Sequence, residues 1–210
     1  MSGVREPPSR AATLALVGCE LAFDFTNTTS GRGGPRRKEH LRTAEDIIVW
    51  AHHAKILGKG CARELGESLA RDPRLARGLR RRVLALRGIV YRIRAALAAG
   101  RPAPARDIDA LAHIHVHCLR RARLQRIAGV YAWRWQAAGD AVAAILGPIA
   151  LSALGLLRQA DLSRIKQCPG EACGWLFLDT TKNNNRRWCE MEVCGNRAKQ
   201  RRLRNKQPRR

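Results

Sequence analysis

The chain has 210 residues, 45% of them hydrophobic, which is enough for one good core and a small appendage. Its seven cysteines are an odd count, and the apolar run in MSGVREPPSRAATLALVG is too short for a secretory segment. Together these exclude a secreted disulfide framework and point to a reducing cytoplasm, where paired cysteines favour metal. The net charge of +23 attracts polyanions, of which nucleic acid is the commonest partner of a soluble protein. Replacement of lysine by arginine in the product of a high-GC genome would give the same excess. Position separates the two only in part. Residues 161–210 carry 13 basic and 5 acidic side chains, but the rest of the chain is basic as well.

Residues 1–13, with Gly3, Pro7 and Pro8, read as disordered. GCELAFDFTNT (Gly18–Thr28) comes next, in which Asp24 and Asn27 sit among apolar neighbours and either bind a small ligand or cap the next element. SGRGGPRRK reads as a mobile loop. Thr43, with Asp46 at the capping-box position, starts a helix that ends at Leu57-Gly58. Ile47, Ile48, Trp50, Ala51 and Ala54 form its apolar side. A short helix over 62–71 precedes Asp72-Pro73, an N-cap followed by proline at the first helical position. From there Leu75, Leu79, Val83, Leu86, Val90, Ile93 and Leu97 recur every three or four residues, predicting a long amphipathic helix up to Gly100. The arginines between them, Arg87 and Arg94 included, read as a solvated face. Asp107 is expected to cap a further helix through about Cys118. That helix separates His115 from His113 and His117, so the HxHxH run is not expected to bind metal.

Residues 123–136 alternate Tyr131, Trp133 and Trp135 beyond Gly129, which predicts a hairpin. Ala141–Leu157 is apolar but slightly short for a membrane span. Gly147, Pro148 and Ser152 interrupt it, so it reads as a kinked core helix from about Asp140 to Gln159. The lone Cys19, Cys61 and Cys118 read as buried, inert thiols. Residues 161–166 form a short joint into the cysteine-rich C-terminal stretch.

Cys168, Cys173, Cys189 and Cys194 are spaced C-x4-C-x15-C-x4-C. Two close thiol pairs on either side of a hairpin-length insert can surround one zinc ion tetrahedrally. An iron–sulfur cluster takes four thiolates too, but the paired spacing and the intervening hairpin favour zinc. Protein ligands fill all four positions, which leaves none for an activated water; the site reads as structural and the chain as no enzyme. The expected path is a knuckle, a strand over Trp175–Leu178, a polar turn, a return through Arg186–Trp188, and a helix whose first turn supplies Cys194. Trp175, Phe177 and Trp188 would cover the metal in a treble-clef-like unit. Arg186, Arg187, Arg197, Lys199, Arg201, Arg202, Arg204 and Lys206 are the candidates for phosphate contact. On a helix, Arg197, Arg201 and Arg204 share one side and Lys199, Arg202 and Lys206 another, so one stripe can bind while the second is solvated. Asn196 reads as a brace of the metal site.

CGWLFLDTTKNNNRRWCEMEVCGNRAKQRR resembles the CGNR zinc finger, named for the tetrapeptide Cys194-Gly195-Asn196-Arg197. Upstream, CELAFDFTNT, HLRTAEDIIVWAHHAKIL and LLRQADLSRIKQC resemble the helical ABATE domain that precedes this finger. The chain departs from the family at Thr181, where serine is usual, and the HxHxH run lies outside the shared pattern. The resemblance implies a stress-induced transcription regulator: a mainly α protein with a helical domain over 14–162 that contains a small β-hairpin, a zinc finger with a basic helix over 163–207, and a tail over 208–210. It implies one structural zinc and double-stranded DNA as partner, with no membrane association, and a helical domain that senses a ligand or partner. An RNA- or ribosome-associated zinc protein is the alternative, since a cationic treble clef serves RNA as readily. The effector and the oligomeric state stay open.

Overall fold

The computed structural model describes residues 9–35, 37–136, 140–159 and 161–206. Most of the segment expected to be disordered (1–8) and the tail 208–210 lie outside these. Among the described residues are seven α-helices and three two-stranded antiparallel sheets. The longest helix, α4 (Pro73–Ala98), is the scaffold. The Asp72 carboxylate accepts the backbone N–H groups of Arg74 and Leu75 and so caps the helix, with Pro73 at its first position. Leu79, Val83, Leu86, Val90 and Ile93 are buried along one stripe. The other core helices are α2 (Ala44–His53), α3 (Lys59–Arg71), α5 (Ala105–Leu119) and α6 (Ala141–Gln159), and α4 touches all of them. α2 begins in the expected Thr43–Asp46 capping box. α6 is long and apolar enough to cross a membrane, with Pro148 inside it. Its apolar character has a simpler cause here: Ile145, Ile149 and Ala150 are fully buried in the core. β3 (Ala122–Ile127) and β4 (Val130–Trp135) form the expected hairpin between α5 and α6. Trp135 anchors it by donating Nε1–H to the Cys118 carbonyl at 2.9 Å and lying against Gly147, where a Cβ would stand 2.4 Å from the indole.

Several expectations need correction. Ser9–Thr13 is packed rather than disordered, because Ala11 is buried and the Ser9 hydroxyl donates to the His40 carbonyl. The arginine face of α4 is solvated only in part. Arg87 is buried and pairs with Glu39 while also donating to the Thr28 hydroxyl at 2.8 Å. Arg94 is buried with its guanidinium 3.9 Å from the Phe23 ring centroid, and burial lowers its pKa to about 9. Leu75, by contrast, is exposed. Asp107 is not the cap of α5, which starts at Ala105 after Pro104. Its carboxylate instead holds Arg92 of α4 through two bonds of 2.8 and 2.6 Å, and this ties the two helices together. Of the lone cysteines, Cys118 is buried and its thiol pushed up to about 11 by burial, whereas Cys19 and Cys61 are exposed. Of the adjacent histidines, His52 is exposed and His53 half-buried, and their rings bond the carbonyls of Leu57 and Leu14.

Candidate metal centre and basic helix

The metal centre grows from a short hairpin. β5 (Ile165–Gln167) pairs with β6 (Leu176–Leu178), and the first cysteine pair lies in the turn between them. Gly170 is needed there: a Cβ would stand 3.1 Å from Cys194 Sγ and 3.3 Å from Cys168 Sγ. Its N–H points at Cys168 Sγ at 3.4 Å, as a donor to a thiolate should. The second pair comes from the far side, Cys189 from a loop and Cys194 from a single π turn, Met191–Gly195, that runs into α7 (Asn196–Lys206). All four sulfurs lie within 4.8 Å of one another. Cys173 and Cys189 Sγ are 3.7 Å apart, and Cys189 and Cys194 Sγ 3.6 Å apart. Zinc–sulfur bonds of about 2.3 Å in a tetrahedron require edges of about 3.8 Å. The four cysteines therefore hold one zinc ion, and they stand too close together to enclose a multi-iron cluster. Neighbouring thiol groups of Cys173 and Cys189 hold Cys168 down at about 2. Cys173 is pushed up to about 12 by its bond to Cys168, and burial raises Cys194. Four crowded sulfurs cannot all carry charge unless a cation sits among them, and zinc supplies it.

Beyond β6 the chain departs from the expected path. Arg186–Trp188 does not return as a strand. Residues 179–186 instead wrap around one carboxylate, that of Asp179, which is fully buried. It accepts from Lys166 Nζ at 2.6 Å, from the Thr181 N–H and hydroxyl, and from the Arg186 N–H at 2.7 Å. Burial alone would raise its pKa, but these donors hold it well below the usual carboxylate range. The sequence signal was the run Asp179-Thr180-Thr181, an Asx-type turn whose side chain binds the backbone two residues on.

The finger is docked on the helical body. Asn27, at the end of α1 (Leu21–Thr26), donates Nδ2–H to the Leu176 carbonyl at 2.9 Å and accepts the Leu176 N–H at 3.0 Å. Both halves of its side-chain amide are thus bound to β6, so the side chain is an inter-domain clamp that neither caps the next element nor stands free for a ligand, while its backbone ends α1. Trp175 donates Nε1–H to the Thr29 carbonyl at 3.0 Å, and the Leu178 N–H bonds the Gly18 carbonyl at 3.0 Å. The glycine-rich segment expected to be mobile lies against the knuckle. The Arg32 N–H bonds the Cys173 carbonyl at 3.2 Å, and a Cβ on Gly34 would stand 2.5 Å from that of Ala172. Phe23, Leu156, Ile165 and Leu176 close a small apolar cluster across the junction.

Asp24, also on α1, accepts the Gly18 N–H at 2.8 Å. Burial raises its pKa from 3.8 to about 6. A carboxyl whose pKa is higher in the fold than in the unfolded chain favours folding when protonated. Its contribution falls as pH rises through the interval from 3.8 to 6, and at pH 7.5 the buried charge is a cost. Asp24→Asn keeps an acceptor for Gly18 and removes that charge. It is expected to stabilise the protein by about 1–3 kcal/mol at pH 7.5 and by almost nothing at pH 4, as read from urea midpoints.

The candidate phosphate contacts fall into distinct groups. Arg186 is committed to the finger itself. It donates to the carbonyls of Val17 at 2.7 Å and Trp188 at 3.1 Å, and stacks 4.4 Å from the Phe177 centroid. It braces the metal loop and is withdrawn from the phosphate contacts. Asn196 is likewise a brace, bound to the Glu192 carbonyl at 3.0 Å. Arg187 is exposed, 5.6 Å over the Trp188 ring. On α7, Arg197, Arg201 and Arg204 line a cleft of about 600 Å³ between the finger and the helical body, and Arg201 pairs with Glu171. Lys199 and Arg202 are exposed and, by helical geometry, face the opposite way. The Lys206 side chain lies outside the described residues. Among the described residues, His113 and His117 belong to no cluster able to hold a metal.

Two family models match the chain and divide it where the geometry does. One, "ABATE: Putative stress-induced transcription regulator", covers residues 20–160, and the other, the CGNR zinc finger, covers residues 164–207. The chain belongs to the ABATE family and carries a CGNR zinc finger with one structural zinc. A comparison with curated proteins gives no match.

Proposed function

We propose that this protein is a DNA-binding transcription regulator in which zinc and the docked helical body hold α7 as a rigid cationic reader. The observation that carries this is the division of α7 into two faces. Lys199 and Arg202 point away from the body, available to the phosphates of a duplex, with exposed Arg187 on the same finger. A helix fixed at its start by a metal ligand, Cys194, loses little freedom on binding, which favours affinity. We infer a regulatory role and not a catalytic one, because four thiolates fill the metal's coordination and leave no position for an activated water.

The test is binding of the zinc-loaded full chain to labelled duplex DNA and to structured RNA of equal length, beside a chain truncated after Cys194. The expected result is salt-sensitive duplex binding that the truncation abolishes. Equal binding by both chains would sink the proposal, and a marked preference for the RNA would move the partner to that polymer.

A further inference from the structure

Both faces of α7 carry exposed cations, and it is the inner set that lines the cleft beside the helical body. Arg197, Arg201 and Arg204 line the 600 Å³ cleft. Arg10, Lys38 and His40 of the helical body line it as well. Trp175 and Trp188 also line it. His40 is buried, its Nε2 is bonded to the Ser30 hydroxyl at 2.8 Å, and burial lowers its pKa, so it serves as a neutral polar group. That leaves five cations against two lining carboxylates, Glu171 and Glu190, the first already paired with Arg201. Part of this volume belongs to the zinc site, whose ligands Cys173, Cys189 and Cys194 also line it, and the total lies in the range of small-molecule sites, about 300–1,000 Å³. It is lined in part by the same helix that carries the outer stripe.

We infer that the cleft is a binding site for a small phosphorylated ligand of nucleotide type, distinct from the duplex-binding face. Cations drawn from both the finger and the helical body suit a di- or triphosphate, whose charge the two sets neutralise together. The indoles of Trp175 and Trp188 offer apolar, π-rich surface for a base. The ligand bridges the helical body to α7 through groups that the outer stripe does not use. Its binding therefore stiffens the seat of that helix, which gives the helical body a direct physical route to alter duplex affinity.

The experiment uses the zinc-loaded full chain with ADP and with inorganic pyrophosphate, read by tryptophan fluorescence and calorimetry, and with a labelled duplex read by anisotropy. The double variant R10Q/K38Q changes the helical body's cations in the cleft at two exposed positions. Saturable ADP binding is expected, weakened about tenfold or more in R10Q/K38Q and unchanged in K199Q/R202Q. Duplex binding should show the reverse pattern. Pyrophosphate should compete with ADP but leave the fluorescence less altered.

No saturable binding of ADP or pyrophosphate at millimolar concentration overturns the inference. ADP affinity unchanged in R10Q/K38Q overturns it equally. Loss of duplex binding in R10Q/K38Q without any binding of ADP would assign the cleft to the nucleic acid backbone instead, and overturns it as well. ADP binding by a chain that holds no duplex would leave the ligand site standing and remove the DNA proposal.

Discussion

Stripping the zinc is expected to expose four further thiols and to unseat the finger. In the metal-loaded chain, alkylation should reach Cys19 and Cys61 only, two modifications per molecule. After chelation, Cys168, Cys173, Cys189 and Cys194 should react as well, giving six. Cys118 should stay unmodified, because its thiol is buried and held near 11. The count is readable by intact-mass spectrometry. The energetic effect is large because the finger has little else to hold it: apart from Phe177 its buried cluster consists of three of the ligands themselves. Structural zinc in small domains contributes on the order of 10 kcal/mol. Part of that loss should pass to the helical body, which packs Phe23 and Leu156 against Ile165 and Leu176 of the finger. Melting in the presence of chelator should therefore lower the transition of the whole chain. An unchanged melting profile would mean that the body and finger are energetically independent.

Replacing Asn27 by leucine is the second large effect. The side chain is 3% exposed and its amide closes a two-bond clamp on the Leu176 backbone. Leucine fills a similar volume but satisfies neither the N–H nor the C=O of a fully buried residue. Each orphaned group costs about 1–3 kcal/mol, so the variant should lose about 2–5 kcal/mol in urea denaturation. Asn27→Asp keeps the acceptor for the Leu176 N–H and loses the donor, and its loss should be smaller than that of leucine unless the new charge is itself unpaired. A stability within 0.5 kcal/mol or so of the parent for Asn27→Leu would contradict the clamp.

Local chemistry was legible in the sequence wherever a single stretch contained its own reason. The Thr43–Asp46 box, the Asp72-Pro73 start, the hairpin around Gly129 and the four-cysteine spacing each carry signal and cause within a few residues. What could not be read was contact between distant stretches. Asn27 meets Leu176 across 149 residues, and Arg87 meets Glu39 across 48. Periodicity placed Arg87 and Arg94 beside the apolar stripe of α4 but could not say that a carboxylate and an aromatic ring would receive them. The glycine-rich loop illustrates the same limit. Small residues at 31, 33 and 34 suggested mobility, whereas Gly31 serves a positive φ of 70° and Gly34 lies where a Cβ would meet Ala172 of the knuckle at 2.5 Å. The two stripes of α7 were predictable from helical period alone, yet which of them faces the body depends on how the finger docks.

We propose that the outward stripe of α7 holds a polyanion. The most direct measurement is the salt dependence of duplex affinity for the zinc-loaded full chain and for K199Q/R202Q. A plot of log affinity against log salt should be steep for the parent, and each lost phosphate contact should reduce its slope by about 0.9. The double variant is expected to show a slope shallower by about 2, with weaker binding at every salt concentration. Parallel lines of equal affinity would contradict it and place the nucleic-acid contact elsewhere on this basic chain.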